Sequence, residues 1–210
     1  MLGGAALVLG MGLALAPVAA GQSANAEESE PEGVSYTYLS LEYEASNTHH
    51  GSDGLTLGFC FEIAEPFHLF GGYQVTTIDL GDVAPFVEGD RKGYLVGAGV
   101  KQRIGKRMTA QYRLGYLDSE TEIGAPGFGV LATDKSDGHY VEAGIRTLPW
   151  PSWELDGFVA HFSLGDFDNN MLFITLERRV TRNLGINLSY RKTEGDNPSD
   201  SWIWAVRYHM

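Results

Sequence analysis

From Gly33 to the C-terminus, apolar and polar residues alternate with a period of two, segment after segment. Leu55, Leu57, Phe59, Phe61 and Ile63 are interleaved with Thr56, Gly58, Cys60 and Glu62. The same rhythm runs through residues 39–43, 69–75, 94–100, 108–116, 141–145, 172–176, 184–190 and 202–208. Successive side chains of a strand point to opposite faces, so the pattern dictates strands with one apolar and one polar face. Residues 153–163 read as a further strand, but apolar residues occupy both phases there and its facing stays open. The strand count is about ten, with eight as the alternative, and each strand covers about 9–12 residues, the length a tilted strand needs to cross a bilayer.

The connections alternate too. Residues 64–66, 103–107, 148–152 and 180–183 are tight, whereas 46–53, 79–92, 118–137, 164–169 and 193–201 are mostly longer and rich in Gly, Asp, Asn and Ser. Tight turns on one side and loops on the other are the arrangement of an outer-membrane barrel. The expected fold is therefore all-β: a transmembrane antiparallel up-and-down β-barrel over residues 34–210. Ahead of it, residues 1–20 are apolar and uncharged, and Ala24-Asn25-Ala26 fits a cleavage site. This predicts a signal peptide over 1–26 and a short acidic N-terminal tail over 27–33, although no Lys or Arg precedes Arg91.

Alternation alone does not say which face is inside, because a soluble barrel has the same period in the opposite sense. Three features put lipid outside. Aromatic residues gather near strand ends, with Tyr36, Phe67, Trp150, Trp153 and Tyr208 toward the tight turns. The expected girdle comprises Tyr43, Tyr73, Tyr94, Tyr116, Tyr140, Trp153, Tyr190, Trp202 and Tyr208. The polar phase carries glycines (Gly58, Gly72, Gly97, Gly99, Gly115, Gly144 and Gly185), as a crowded lumen demands. The polar phase also sets Glu42, Glu44, Glu62, Glu142, Glu154, Asp156 and Glu177 against Lys101, Arg113, Arg146, Arg178, Arg179, Arg191 and Arg207. Unpaired charges in a narrow lumen are costly, so pairing is expected. The expected lumen network is Glu42, Glu44, Glu62, Lys101, Arg113, Glu142, Arg146, Glu177, Arg191 and Arg207.

The formal net charge is −12, from 15 Lys and Arg against 27 Asp and Glu. With the strands balanced, the excess acid falls in the external loops and the N-terminal tail. An acidic rim beside lipopolysaccharide phosphates predicts bridging divalent cations. The acidic balance excludes wrapping nucleic acid. A single cysteine excludes a disulfide framework, and a mean hydropathy of −0.14 excludes a helical membrane bundle.

The stretches Gly33–Tyr43, Phe67–Tyr73 and Trp204–Tyr208 resemble the OmpA/OmpX-like outer membrane protein β-barrel domain family of Gram-negative bacteria. The resemblance spans residues 33–210. It implies a bacterial outer-membrane location, outer-membrane lipid as surroundings, insertion by the barrel-assembly machinery and a monomer. Such barrels usually end in an aromatic residue read during insertion. Here the last residue is Met210, so either insertion is less efficient or Tyr208 serves instead.

Chemistry-bearing residues are sparse. His139, His161 and Ser163 fall near the external rim on outward phases, a loose version of what a lipid hydrolase needs. A protease of this class needs strands standing far out of the membrane, for which the chain is short. His49, His50 and Asp53 lack a metal-site geometry, and Asp79, Asp82, Glu88, Asp90, Asp166 and Asp168 read as solvated loop acids. Cys60 reads as lumen filling. No enzyme activity and no cofactor are expected. The expected function is a barrel with a charge-plugged lumen and acidic external loops in a structural or surface-interaction role, with a narrow channel for ions or small solutes as the alternative.

Overall fold

The computed structural model describes residues 36–46, 52–79, 87–125, 127–196 and 198–210. The expected leader and acidic tail, together with His49, His50 and Asp82, lie outside the described residues.

Ten strands follow one another: β1 Tyr38–Ser46, β2 Ser52–Ala64, β3 Phe67–Asp79, β4 Glu88–Gly105, β5 Met108–Ala125, β6 Gly129–Trp150, β7 Trp153–Leu164, β8 Phe167–Arg179, β9 Leu184–Gly195 and β10 Ser199–His209. Each pairs antiparallel with its chain neighbours, and β1 pairs with β10, Tyr38 opposite His209, to close the barrel. Closure leaves no sheet edge inside the membrane, where an unpaired backbone group would have no water to bond.

The wall has the sense expected from the alternation. Leu57 is 59% and Leu114 64% exposed on the outside, whereas Arg146 and Gln111 are 0% exposed inside. This inverts the pattern of a soluble barrel and needs an apolar solvent around it. The open phase of β7 resolves with Glu154, Asp156, Phe158 and Ala160 inward and Leu155, Val159 and His161 outward.

Strand length departs from expectation. β4, β5 and β6 run for 18, 18 and 22 residues. The expected loop over 118–137 is a continuation of the β5–β6 hairpin, with Asp118 opposite Asp137 and Thr121 opposite Asp134. The expected loop over 79–92 likewise ends in strand from Glu88, and 164–169 is a tight turn in which Gly165 adopts φ +59°. The extension carries polar side chains on both faces, so no apolar alternation marks it as strand. The expectation that the chain is too short for a projecting wall is therefore wrong for this side of the barrel.

Candidate functional site: a packed lumen and an external sheet

At the end of the barrel where the tight turns lie, inward residues of seven strands and the segment before β1 converge. Arg146 on β6 pairs with Glu154 across the β6–β7 hairpin, and its Nε lies 3.4 Å from Asp156 Oδ2. Arg207 Nη1 donates to Glu177 Oε2 at 2.6 Å and lies 3.6 Å from Glu154 Oε1. His209 Nε2 is 2.6 Å from Glu177 Oε1, and Arg179 reaches Glu154 at 3.5 Å. The guanidinium groups are also covered by rings: Arg146 stands 4.7 Å from the Tyr36 ring and Arg207 4.2 Å from the Tyr38 ring. Lys101 Nζ bonds Glu62 at 2.5 Å and lies 4.8 Å from the Tyr36 ring.

The next layer centres on Glu142. Its Oε1 accepts Gln111 Nε2 at 2.9 Å and lies 3.3 Å from Arg113 Nη1, and its Oε2 accepts the Tyr140 hydroxyl at 2.5 Å. Arg113 Nε donates to His68 Nε2 at 3.1 Å. Above this lies an apolar layer of Phe70, Tyr140 and Ala160, against which Leu95, Leu117, Phe158, Phe162 and Met171 pack. Near the external mouth, Arg191 pairs with Glu44, which also accepts Gln74 Nε2 at 3.2 Å.

Of the ten expected network residues, nine therefore fall in mutual pairs or in pairs with lumen neighbours. Glu42 stands apart from them and accepts the Ser40 hydroxyl at 2.8 Å. Gln111, His68, Tyr38, His209, Phe70 and Ala160 were not among the expected site residues, and Tyr36 and Tyr140 were expected on the outer face. The two-faced apolar character of residues 153–163 was the one signal of the apolar layer, since Phe158 and Phe162 face inward there.

Two glycines show how full the lumen is. A Cβ on Gly99 would stand 2.5 Å from His68 Nε2 and 2.8 Å from Arg113 Cγ, and one on Gly185 would stand 2.3 Å from Glu177 Oε1.

Two aromatic assignments and one basic one need correction. Tyr140, expected in the girdle, is 7% exposed and faces the lumen, because it shares the inward phase of β6 with Glu142. Tyr36, expected at the turn-side belt, is 1% exposed beneath Arg146. Arg178, grouped with the lumen bases, faces outward 5.7 Å from the Trp153 ring, one residue out of phase with Glu177. The other expected girdle residues occupy outward phases, and several touch: Tyr43 with Trp204, Tyr94 with Tyr116 and Tyr190 with Trp202, their ring centroids 6.2, 6.4 and 5.2 Å apart. Tyr73 and Tyr208 are also outward and about half exposed.

The external ends of β5 and β6 run beyond the end of β7, and β4 accompanies β5 as far as Glu88, where it is still paired with Asp79 of β3. β7 pairs with β6 only from Gly138, opposite Leu164, and Gly165 N donates to Asp137 O, so Gly129–Ser136 has β5 on one side and no strand on the other among the described residues. At about 3.3 Å per residue this free edge is about 26 Å long. These strand ends carry Lys135 3.2 Å from Glu120 and Lys92 3.8 Å from Glu122. At its tip Phe128, Val130 and Leu131 are 83%, 60% and 59% exposed.

The closed wall, the apolar exterior and the filled polar interior together decide the class. This is an outer-membrane β-barrel.

Solved structures agree in fold. The transport unit of the autotransporter AIDA-I from Escherichia coli superposes with a TM-score of 0.50 at 11% identity, covering 90% of this chain and 93% of that one. Ail, the attachment invasion locus protein of Yersinia pestis, is 16% identical with a TM-score of 0.42, covering 84% of this chain and all of Ail. The KdgM porin is 11% identical with a TM-score of 0.43 over 81% of this chain and 99% of that one. No protein-family model and no curated protein sequence matches the chain.

The sparse chemistry is now placed. His139 and His161 are outward, their ring centroids 6.2 Å apart, and His161 Nδ1 lies 3.2 Å from Asn170 Oδ1. Cys60 is 0% exposed inside the lumen near Arg113. Among the described residues no group of three or more His, Cys, Asp or Glu side chains has metal-site geometry.

Proposed function

We propose that the protein is a surface-interaction barrel: a plugged anchor in the outer membrane that holds a β-sheet outside it for contact with a partner. The observation that carries this reading is the free edge of β6 over Gly129–Ser136, which ends in the exposed apolar tip of Phe128, Val130 and Leu131. A long unpaired edge is a template for an incoming strand, and soluble proteins normally cover or blunt such edges. Here the edge is held in a fixed position by a barrel filled with paired charges, which supports a role as scaffold rather than passage. The reading is non-catalytic: the outward His161 is oriented by an amide where a hydrolytic triad would place a carboxylate.

The test has two arms. A variant whose hairpin is cut back by replacing residues 121–133 with Asn-Gly keeps a heat-modifiable barrel and loses the attachment of expressing cells to protein-coated surfaces. Attachment equal to that of the full-length protein counts against the reading. In planar bilayers the purified protein gives no steady conductance. Steady openings that change in Arg113→Ala or Glu142→Ala would favour the narrow channel.

A further inference from the structure

The outer wall over β6–β9 interrupts the aromatic band. Register lays two rows across it. One row holds Ala143, Val159, Leu172 and Lys192; the next, one step outward, holds Val141, His161, Asn170 and Glu194. The small side chains of the first row leave a recess of about 500 Å³ on the lipid-facing side, floored by Val141, Ala143 and Val159 and walled by Leu172. Below it on the same face of β7, Gly157 has open space where a side chain would stand, which prolongs the recess toward the membrane interior. Inside a bilayer, an apolar recess open to the side is filled by hydrocarbon.

The external end of the recess is polar and directional. His161 Nδ1 lies 3.2 Å from Asn170 Oδ1, so Nε2 is the ring nitrogen available to a ligand. Lys192 donates one ammonium N–H to Glu194 Oε1 at 2.5 Å and stands opposite Asp200 of β10, which leaves it a donor for a further acceptor. The Lys192 ammonium complements a phosphate, and the imidazole beside it offers a second polar contact.

We propose that this recess binds one molecule of a phosphorylated glycolipid of the outer leaflet. An acyl chain lies along β7 over Val159, the phosphate meets Lys192, and a sugar hydroxyl bonds His161 Nε2. Basic groups at the membrane surface beside an apolar slot are the usual elements of lipid-headgroup recognition. The proposal rests on the wall of the barrel and not on the external sheet, so it stands or falls separately from the surface-interaction reading.

Native mass spectrometry of the detergent-purified protein titrated with lipid A tests it. Val159→Trp, which fills the recess from a lipid-facing position, lowers the lipid-bound fraction at least tenfold. Lys192→Glu abolishes the preference for lipid A over its dephosphorylated form. Leu57→Trp, on the outer face of β2, changes neither, and a heat-dependent gel shift confirms that each variant is folded. Binding by Val159→Trp equal to that of the unmodified protein would overturn the proposal. So would equal competition by dephosphorylated lipid A or by phosphatidylglycerol, or an equal loss in Leu57→Trp.

Discussion

Tyr140 and Glu142 lie two residues apart on β6, both inward, and the phenol donates to the carboxylate at 2.5 Å. The contact ties the apolar layer around Phe70 to the ionic layer around Arg113. It also gives the lumen a directional element that neither layer has alone.

Removing that hydroxyl separates a lumen role from a girdle role. Tyr140→Phe leaves Gln111 and Arg113 on Glu142 but strips one charge-assisted hydrogen bond, and it lowers stability by about 1–2 kcal/mol. Tyr116→Phe, on the outer face, costs less. Urea unfolding in lipid vesicles reads both.

The Arg146 cluster is more sensitive to imbalance than to loss. Arg146→Met leaves Glu154 and Asp156 buried without their nearest cation and costs about 3–5 kcal/mol. The triple change Arg146→Met, Glu154→Gln and Asp156→Asn removes the stranded charges and recovers much of that loss in the same unfolding assay. A triple variant no more stable than Arg146→Met would show that these pairs do not set the cost.

Lumen glycines are space restrictions. Gly99→Val drives side-chain atoms into His68 and Arg113. The expected loss is about 1–3 kcal/mol, whereas Gly105→Val, at a turn with open space around it, is tolerated. The fraction of each variant that resists unfolding on an unheated gel measures the difference.

Topology is checked by thiol labelling. Cys60 is 0% exposed and stays unreactive in the folded protein. A cysteine introduced by Phe128→Cys, at the 83% exposed hairpin tip, reacts with a membrane-impermeant maleimide on intact cells. One introduced by Lys106→Cys, in the β4–β5 turn, reacts only after the outer membrane is opened. The reverse pattern would invert the barrel.

The acidic rim predicts a cation effect. Glu88, Asp90, Asp118, Glu120, Glu122, Asp134 and Asp137 lie on the projecting strands with few bases among them. Bridging of these acids to lipid phosphates by divalent cations makes the melting temperature in native membranes fall on chelation, and this fall is absent in detergent without lipopolysaccharide. An unchanged melting temperature in membranes refutes it.

How far each feature was readable follows from where its physical cause lies. β2 was legible over Leu55–Ile63, because its two faces meet different media and every second residue records it, while its ends at Ser52 and Ala64 were read as loop and turn. The outer halves of β5 and β6 were not, because water lies on both sides and Asp118–Thr121 and Asp134–Asp137 carry no contrast. Tyr140 was misplaced for a related reason. A tyrosine near a strand end suits an interface, and only the phase of β6, counted from Glu142, sends it inward.

The amino-acid sequence by itself determined a membrane barrel, with its strands, the side that meets lipid and a lumen of acids and bases, since period-two alternation is a local property written along each strand. The tertiary structure alone decided which charges meet. Glu44 and Arg191 are 147 residues apart and become partners because β1 closes onto β10, with β9 beyond it. Closure and strand stagger are global, set by all ten registers at once, and no single segment encodes them.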